Sequence, residues 1–429
     1  MRHSIQYQDA LLKFSGIGIA ILLILMPFHA ALVTVLGSLI DYKIILQSWK
    51  EVLIVALLAV TAIAYWRDRT IFRFDNLNIL ALFIVVFSVI VTLLIRPSYI
   101  GALAGIKTNL LVLLLFLVAQ VPYKYFNQKR MLWLIILPAG LVGFVGLLQP
   151  WIFGPELLSK IGYSASSIIG GQYIDSARST MRIFSTLGGP NQLGTYLIIP
   201  LALSLAYGLH SKKWYWLLIS ILFCIPIYMT HSRSAWLGVV FAIIVVIATF
   251  LTKKLQIFVA TGVCIALLMG GILIFSANPC GQLGGIRAQF IRGTCINNVI
   301  VGSDSQHITA IQNGLQAVTR QPWGYGLGTA GPASFYTNKA MVTENWYLQI
   351  AIEIGLIGLG LYIAFFVILV IELYKASQLK NQYSYQSKAL LACLAGILVA
   401  SLFLHSLTDS TLAIVLFLLL GINKGRQVV

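Results

Sequence analysis

The residues of this chain best suited to chemistry are charged side chains that stand beside long apolar runs. Arg182 and Arg233 lie close to the starts of two such runs, and Glu344 opens the stretch VTENWYLQIAIEIGLIGLGLY. Guanidinium groups and helix N-termini both favour phosphate, and a carboxylate at a polar edge can accept a proton from a hydroxyl. These residue types predict a site that binds a phosphate-bearing ligand and removes a proton from an attacking group.

Two carboxylates of that stretch have different predicted roles. If Thr343 caps the helix, Glu344 occupies the first turn, where the helix dipole favours a negative charge. Glu353 comes nine residues later, and at about 100° per residue it lies on the opposite helix face. The two side chains therefore do not form an acid–base pair on one straight helix. Glu344 is the predicted base, and Glu353 is predicted to meet a buried polar partner and to orient the site.

His307 is a second candidate base, in the segment SDSQHITAIQNGLQAVT over residues 303–319. Four apolar side chains of this segment share one helical face: Ile308, Ile311, Leu315 and Val318. The pattern predicts an amphipathic helix that lies on the membrane, and His307 stands beside its apolar face, where packing is an alternative role. The QPWGYGLGTAG that follows matches G-x-G-x-x-G without a preceding strand, and we interpret it as a flexible or tightly turned lid.

The arginines also have a structural alternative, since long cationic side chains reach lipid headgroups from helix ends. We interpret Arg178 in that way, and Arg182 and Arg233 as ligand-binding. Asn191 is predicted to cap the helix that follows a Gly-Gly-Pro turn. Ser232 is predicted to cap the next outward-starting helix, which puts Arg233 in its first turn.

Composition indicates the elements that position these residues. The 429 residues are 59% hydrophobic and 10% charged, whereas soluble proteins carry about 25% charged residues. A bilayer core of ~30 Å needs about 20 apolar residues per helical crossing. The sequence therefore predicts an all-α integral membrane protein, one polytopic domain over residues 1–429 with about twelve crossings: 15–38, 50–66, 76–95, 99–121, 131–149, 191–209, 213–229, 234–252, 255–275, 345–373, 387–404 and 407–422. Pro27 predicts a kink in the first, and the last two are short enough to form a hairpin instead.

Basic residues orient these crossings. Most of the 29 lysines and arginines fall in short turns and tails on one side, which predicts that both termini are cytoplasmic. The outer loop 150–190 and the large outer loop 276–343, with its amphipathic helix, then face outward. Cys280 and Cys295 fall in the larger loop, where a disulfide and two free thiols are both open. The net charge of +17 suits anionic lipids as partners, and nothing requires nucleic acid.

Four segments occur in a fixed order over residues 178–362: MRIFSTLGGPNQLGTYL, HSRSAWLG, GLQAVTRQPWGYGLG and ENWYLQIAIEIGLIGL. Their order and spacing resemble the O-antigen ligase and polymerase superfamily. The resemblance implies a GT-C-like bundle in the bacterial cytoplasmic membrane and a role in cell-envelope polysaccharide biosynthesis. It further implies a glycosyltransferase, without metal or cofactor, that uses an undecaprenyl-diphosphate-linked glycan as donor. The acceptor is a glycan, a lipid or a protein.

The resemblance also implies roles for individual residues. Arg182 and Arg233 match the pyrophosphate-binding arginines of the superfamily. Glu344 stands where the ligases have a catalytic histidine, and His307 stands where the amphipathic helix often carries an arginine. Either of these two residues can therefore be the base, with the other orienting it or binding the acceptor. The residues expected to support the site or to bind the acceptor are Asn191, Asn345, Tyr347 and Glu353.

Two alternatives stay open: a polysaccharide polymerase of the same superfamily and a transporter of an anion such as bicarbonate. In a transporter, Glu353 and Asp409 would be relay groups inside the membrane. His405 and Asp409 also have a simpler interpretation as residues that cap a turn. The sequence shows no inverted repeat and predicts no pair of broken central helices, both of which are typical of transporters. The transferase is therefore favoured.

Overall fold

The computed structural model describes residues 2–39, 43–164, 167–174, 180–256, 262, 294–296, 299–301, 303–337 and 340–427. Over these ranges the regular secondary structure is helical, apart from an isolated bridge between Tyr173 and Met181 and one hairpin of two short strands, β1 (Thr294–Ile296) and β2 (Val299–Val301), paired antiparallel. The helices are α1 (Arg2–Leu25), α2 (His29–Leu39), α3 (Lys43–Arg67), α4 (Asn76–Ile95), α5 (Tyr99–Asn109), α6 (Leu111–Ala119), α7 (Gln128–Leu148), α8 (Pro155–Lys160), α9 (Pro190–Tyr196), α10 (Ile198–Ser211), α11 (Trp214–Met229), α12 (Arg233–Thr249), α13 (Ser303–Arg320), α14 (Trp346–Ser377), α15 (Ser384–Ala400) and α16 (Ser410–Gln427).

Seven helical stretches of the described chain are long and apolar enough to cross a membrane: Gln8–Leu39, Ile45–Arg67, Asn76–Ile95, Tyr99–Ala119, Gln128–Leu148, Pro190–Ser211 and Trp346–Ser377. Three shorter apolar helices, α11, α12 and α15, add to them. The chain is thus a helical, multi-pass membrane protein, as predicted. Most of the predicted crossing 255–275 lies outside the described residues, and the count of twelve crossings stays a prediction.

The first apolar run is broken, as Pro27 predicts. A short 3-10 turn, Met26–Phe28, separates α1 from α2. The Thr186 hydroxyl donates to the Pro27 carbonyl at 2.7 Å, and the Thr411 hydroxyl donates to the Met26 carbonyl at 3.1 Å. Backbone groups freed inside a membrane protein must find such partners, so the break ties the first run to two distant segments.

The last helix, α16, forms the centre of the bundle. Its residues from Thr411 to Gly425 are all buried, so it is enclosed by other helices and is not a surface hairpin. Close to it, α12 and α15 cross at two glycines: a Cβ on Gly238 would lie 2.7 Å from the Gly396 carbonyl oxygen. Small residues allow membrane helices to approach this closely. The two helices are antiparallel: α12 ends and α15 begins on the same side of the bundle, where Lys388 Nζ lies 3.8 Å from the centre of the Phe250 ring.

The bundle has two ends, and we name each after one of its residues. Helix α14 has 32 residues with a kink at Ile354 and Gly355, and it runs from one end of the bundle to the other. We call the end with the starts of α9, α12 and α14 the Glu344 end. The Lys424 end holds the start of α4 and the ends of α14 and α16, where Lys424 Nζ lies 2.6 Å from both Asp75 and Glu372 carboxylate oxygens. Helix α1 also begins at the Lys424 end, since Gln8 Nε2 donates to Asp68 at 3.0 Å.

Candidate functional site

Arg182 and Arg233 belong to one corner of the Glu344 end. Arg182 Nε donates to the Thr230 carbonyl at 3.0 Å, and its Nη2 donates to Asn191 Oδ1 at 2.9 Å. Thr230 lies in the turn between α11 and α12, three residues before Arg233, the first residue of α12. Both guanidinium groups are half-buried. We call this group, Arg182, Asn191, Thr230 and Arg233, the arginine corner.

Of the two caps predicted at this corner, Asn191 is wrong, whereas Ser232 occupies the N-cap position and Arg233 follows it as predicted. Helix α9 begins at Pro190, because proline lacks the N–H that a first helical residue leaves unpaired and its φ already suits a helix. Asn191 therefore lies inside the first turn, where its side chain accepts from Arg182 instead of capping. The Ser232 side chain makes no capping hydrogen bond to α12. Sequence analysis identified the right segments but assigned these polar side chains to the wrong partners.

Glu344 lies outside its helix, which corrects the predicted Thr343 cap. The cap is Asn345, whose Oδ1 accepts from the Leu348 N–H at 2.8 Å, and α14 begins at Trp346. Glu344 precedes it with φ at +49°. A residue with a side chain in this left-handed region costs of order 1–3 kcal/mol, so the surrounding structure must hold it there. The predicted argument about opposite faces of one helix consequently does not apply.

The Glu344 carboxylate is paired with an imidazole from another helix. His307 Nδ1, near the start of α13, lies against Glu344 Oε2. The His307 and Glu344 side chains are 34% and 35% exposed, so a ligand can reach both. The structure thus brings together the two candidate bases that sequence analysis could not choose between. A carboxylate beside an imidazole is the arrangement that orients a general base in many enzymes.

Helix α13 reaches this position by packing on α14. A Cβ on Gly314 would lie 2.9 Å from the Leu348 Cγ, and Val318 is 8% exposed in the same contact. By the helical repeat, His307 shares the face of these two residues. The predicted amphipathic helix is confirmed, but part of its apolar face covers α14 rather than a membrane. Ile308 and Leu315, on the neighbouring strip, are 53% and 54% exposed.

The loop after α15 holds the backbone around Glu344. The Trp346 N–H donates to the carbonyls of Ser401 and Leu404, at 3.0 and 3.2 Å, and Asn345 Nδ2 donates to the Leu402 carbonyl at 2.9 Å. The same loop carries His405. Burial, with the charge of His307 as a smaller cause, lowers the pKa of His405 to about 4. His405 is therefore neutral near pH 7, and it lies close enough to His307 for the charge of that residue to affect its pKa.

Asp409 has the capping role that the sequence suggests. Its Oδ1 accepts from the Leu412 N–H at 2.9 Å, at the first turn of α16. Burial raises the pKa of Asp409, and backbone donors from Leu412 and Thr411 oppose that effect. The carboxylate thereby fixes the start of the central helix next to the loop that carries His405.

Glu353 is fully buried, at 0% exposure, and has the polar partners that sequence analysis predicted. Its Oε2 accepts from Asn109 Nδ2 at 2.7 Å, and its Oε1 accepts from the Gly328 N–H at 3.0 Å. Asn109 is the residue that sequence analysis missed, although a lone amide in the apolar run GIKTNLLVLLLF was the available signal. Glu353 is enclosed by the protein and does not face the His307–Glu344 pair.

Helix α14 is interrupted next to Glu353, at Ile354 and Gly355, and Gly355 has φ at +75°. The segment 322–328 fills the interruption. The N–H groups of Tyr325 and Gly326 donate to the carbonyls of Ile352 and Glu353, each at 2.8 Å, and the Leu356 N–H donates to the Pro322 carbonyl at 2.9 Å. We call residues 322–328 the plug. The QPWGYGLGTAG stretch is thus tightly turned and largely buried, although Trp323 is 69% exposed.

The interruption corrects an expectation, because the sequence predicted no pair of broken central helices. The structure breaks both α14 and the first apolar run. In each case side chains or backbone of the protein satisfy the freed groups, as a membrane interior requires. Gly355 is one of several glycines in IGLIGLGLY, and local sequence does not distinguish the one that adopts a left-handed conformation.

Part of the chain matches a known protein family. The family model Wzy_C, described as O-antigen ligase, matches residues 218–363. Residues 218–363 are therefore similar to an O-antigen ligase domain. This domain includes Arg233, His307 and Glu344, whereas Arg182 precedes it. The match confirms the resemblance to the superfamily and implies a glycosyltransferase-like enzyme in a membrane. A search among curated proteins found no match to the chain.

Tyr347, which was expected to support the site or to bind the acceptor, forms a hydrogen bond to a neighbouring helix. Its hydroxyl donates to the Leu398 carbonyl of α15 at 2.9 Å, and its ring lies 5.3 Å from that of Trp346. This places Tyr347 between α14 and α15, where it supports the helix start that carries Glu344. Arg178 and Cys280 lie outside the described residues, as does the choice between a disulfide and two free thiols at Cys280 and Cys295.

One charged cluster of the Glu344 end was missed by sequence analysis. Glu51 Oε1 lies 3.1 Å from Lys50 Nζ and 2.6 Å from Lys107 Nζ, and Lys50 Nζ lies 2.8 Å from His29 Nε2. The signal was present, since ionisable residues inside apolar runs are functional hypotheses by default. Thr186, which donates to the break before His29, links the cluster to the segment of the arginine corner. Among the described residues no group of three His, Cys, Asp or Glu side chains could hold a metal ion.

Proposed function

We propose that the chain is an O-antigen ligase-like glycosyltransferase. It moves a glycan from an undecaprenyl-diphosphate carrier to an acceptor hydroxyl at the outer face of the bacterial cytoplasmic membrane. The observation that carries the proposal is the His307–Glu344 pair, which lies at the same end of the bundle as Arg182 and Arg233. The ligase domain over residues 218–363 supports the same chemistry.

In the proposed reaction His307 is the base and Glu344 orients it. Since Nδ1 meets the carboxylate, Nε2 is the imidazole atom that takes the proton of the acceptor hydroxyl. The acceptor oxygen then forms a bond to the anomeric carbon of the donor sugar. The bond from that carbon to the diphosphate oxygen breaks, and the electron pair leaves with the prenyl diphosphate. Glu344 stabilises the imidazolium that forms, as a carboxylate does in a catalytic triad.

The arginine corner binds the departing diphosphate in this proposal. Arg233 is the first residue of α12, where a cation opposes the helix dipole at a cost of ~0.3–1 kcal/mol. A bound phosphate reverses that sign, because helix N-termini and guanidinium groups both attract it. Arg182 is held in place by Thr230 and Asn191. Stabilising charge on the leaving group is the largest contribution that such a site can make.

The proposed orientation places the Glu344 end outside and the Lys424 end in the cytoplasm. The start of α1 and the end of α16 both lie at the Lys424 end, which agrees with two cytoplasmic termini. The acceptor class follows the superfamily: a growing polysaccharide, a lipid or a protein. A polymerase of the same superfamily would use the same residues with a sugar hydroxyl as acceptor.

A transporter is the second candidate, and the two broken helices favour it. Transporters use such breaks to place backbone groups around a substrate. Here the plug occupies the break in α14, and Thr186 and Thr411 occupy the break before α2. Groups that are already paired within the protein offer a poor ion site, so the transferase remains the better candidate.

The deciding experiment is transfer in detergent, where no gradient exists. Purified full-length protein is mixed with an undecaprenyl-diphosphate-linked oligosaccharide and acceptor extracted from the same cells, and the released prenyl diphosphate is measured. A transferase releases it, and Arg233→Ala reduces the rate at least about a hundredfold, the loss typical of one electrostatic donor. Arg130→Ala, at the Lys424 end, is the matched control and keeps the rate. Absence of release by the wild-type protein would contradict the proposed reaction.

A further inference from the structure

A polar groove runs along α13 and has no role in the reaction described above. A cavity of about 790 Å³ lies between α13 and residues 340–342, which lead to Glu344. Five polar side chains of α13 line it: Gln306, Thr309, Asn313, Gln316 and Arg320. Their alternating spacing of three and four residues places them on one helical face. At 1.5 Å per residue this polar strip is about 21 Å long.

The chemistry of the groove selects one class of ligand. Amide and hydroxyl side chains both donate and accept hydrogen bonds, and the guanidinium of Arg320 donates. An apolar helix or a lipid chain would leave these groups unpaired, at about 1–3 kcal/mol each. A polyanion would favour more cations than the single arginine. A chain of neutral or weakly acidic sugars presents donors and acceptors along its length and fits the strip.

An aromatic ring completes the groove. Tyr325 lines it beside Ala317, and its hydroxyl donates to the Ala317 carbonyl at 3.1 Å. This bond fixes the ring against α13, and the backbone of Tyr325 is held by the plug. A rigid ring beside a row of amides offers an apolar surface for the face of a sugar.

The groove ends at the proposed base. Gln306 is adjacent to His307, and Val342 lies two residues before Glu344. We propose that the groove binds a carbohydrate chain, with the reacting end of that chain at the His307–Glu344 pair. The position at the pair rests on the proposed function, whereas binding of carbohydrate by α13 does not. The chain belongs either to the lipid-linked donor or to the acceptor, which share this chemistry.

The test uses photo-crosslinking of the full-length protein in its own cells. A photoactivatable amino acid replaces Gln316 in one variant and Asn313 in a second. Gln312, an exposed glutamine of α13 outside the groove, is replaced in the matched control. After illumination the purified protein is stained for carbohydrate with a periodate–hydrazide reagent. We expect a stained adduct at positions 316 and 313 and none at 312.

Mild acid then distinguishes the two sources of the chain. Acid cleaves a sugar–diphosphate bond, so an adduct with the donor loses its prenyl chain and changes mobility, whereas an adduct with the acceptor does not. Equal staining at all three positions, or adducts with protein or lipid only, would overturn the proposal. Adducts that persist in His307→Gln, the variant with the largest expected loss of transfer, would separate binding from reaction.

A second measurement avoids the bulky probe. The double variant Asn313→Ala/Gln316→Ala is expected to raise the KM of one substrate about tenfold, the effect of two hydrogen bonds, with kcat nearly unchanged. Gln312→Ala is expected to leave both constants unchanged. If the crosslinks form but neither wild type nor variant transfers glycan, the carbohydrate site stands and the proposed reaction fails. An unchanged KM in the double variant for both substrates would contradict the site.

Discussion

The Lys424 cluster and the His307–Glu344 pair, at opposite ends of the bundle, hold charge in different ways. At the Lys424 end, an 8% exposed lysine lies 2.6 Å from two carboxylates, and Asn78 and Gln120 exchange hydrogen bonds at 3.0 and 2.7 Å beside it. At the Glu344 end, the pair of His307 and Glu344 is about one-third exposed. The first arrangement closes the bundle, and the second leaves reactive atoms within reach of a ligand.

Backbone conformation follows the same division. Five non-glycine residues of the described chain have positive φ, and four lie at the Glu344 end: Arg96, Ser185, His231 and Glu344. Lys212, where α10 ends, is the other. Strained residues persist where the surrounding structure holds them, and they cluster at functional sites. The comparison teaches that stability and reactivity occupy different ends of these helices.

The largest effect should come from the His307–Glu344 pair. With His307 as base, His307→Gln lowers kcat by about 10²–10⁴-fold, and Glu344→Gln lowers it less because the imidazole remains. Glu156→Gln, an exposed carboxylate of α8, keeps the rate and serves as control. The measurement is single-turnover transfer in detergent. A greater loss in Glu344→Gln than in His307→Gln would exchange the two roles.

The opposite result is expected at the Lys424 end, where Lys424→Met should lower stability and spare chemistry. Removing the cation leaves Asp75 and Glu372 without their partner, and we expect a loss of about 3 kcal/mol in the free energy of unfolding. Denaturant titration in detergent measures it. Exposed Lys254→Met should have almost no effect. A lower kcat of the folded Lys424→Met protein would contradict the view that this end serves stability and not chemistry.

A smaller loss is expected between the two ends, where Glu353 lies. Asn109→Leu removes the donor to Glu353 Oε2, and an unpaired buried acceptor costs about 1–3 kcal/mol. The same titration detects it, with exposed Asn76→Leu as control, for which we expect a change within about 0.5 kcal/mol. If Asn109→Leu instead stopped transfer at unchanged stability, Glu353 would belong to the reaction.

The smallest effect concerns pH. The pKa of His405 is lowered to about 4 in the folded protein, below its usual value near 6.5. The unfolded chain therefore binds a proton first as pH falls, and the stability from neutral His405 is present above pH 6.5 and lost towards pH 4. Thermal unfolding between pH 7 and 4.5 should show a smaller decline for His405→Gln than for wild type. Parallel curves would show that other groups govern acid sensitivity.

Sequence analysis predicted the features that depend on local pattern. Apolar runs located the helices, and a serine-arginine pair before an apolar run placed Arg233 at the start of α12. The buried position of Glu353 also followed, because a carboxylate two turns inside an apolar helix needs a polar partner. These inferences use only neighbouring residues.

The features that it missed depend on contacts between distant segments. Thr343 and Asn345 are both good caps, and the choice of Asn345 depends on the loop at 401–404, which binds the backbone at Trp346. The partner of Glu344 comes from α13, and the partner of Lys50 comes from α2. No spacing along the chain predicts such pairs. The sequence therefore identified candidate residues but not which of them contact each other.

The plug has a consequence for biogenesis. The part of α14 before its interruption cannot satisfy its own peptide groups, because the carbonyls of Ile352 and Glu353 accept hydrogen bonds from the N–H groups of residues 325 and 326. The plug in turn presses on α5: a Cβ on Gly105 would lie 2.7 Å from the Leu327 carbonyl carbon. Helix α14 must therefore leave the insertion machinery with the plug already folded against it. Otherwise its hydrogen bonds stay incomplete while it lies beside α5. Synthesis of a segment more than two hundred residues upstream thus precedes the completion of this transmembrane helix.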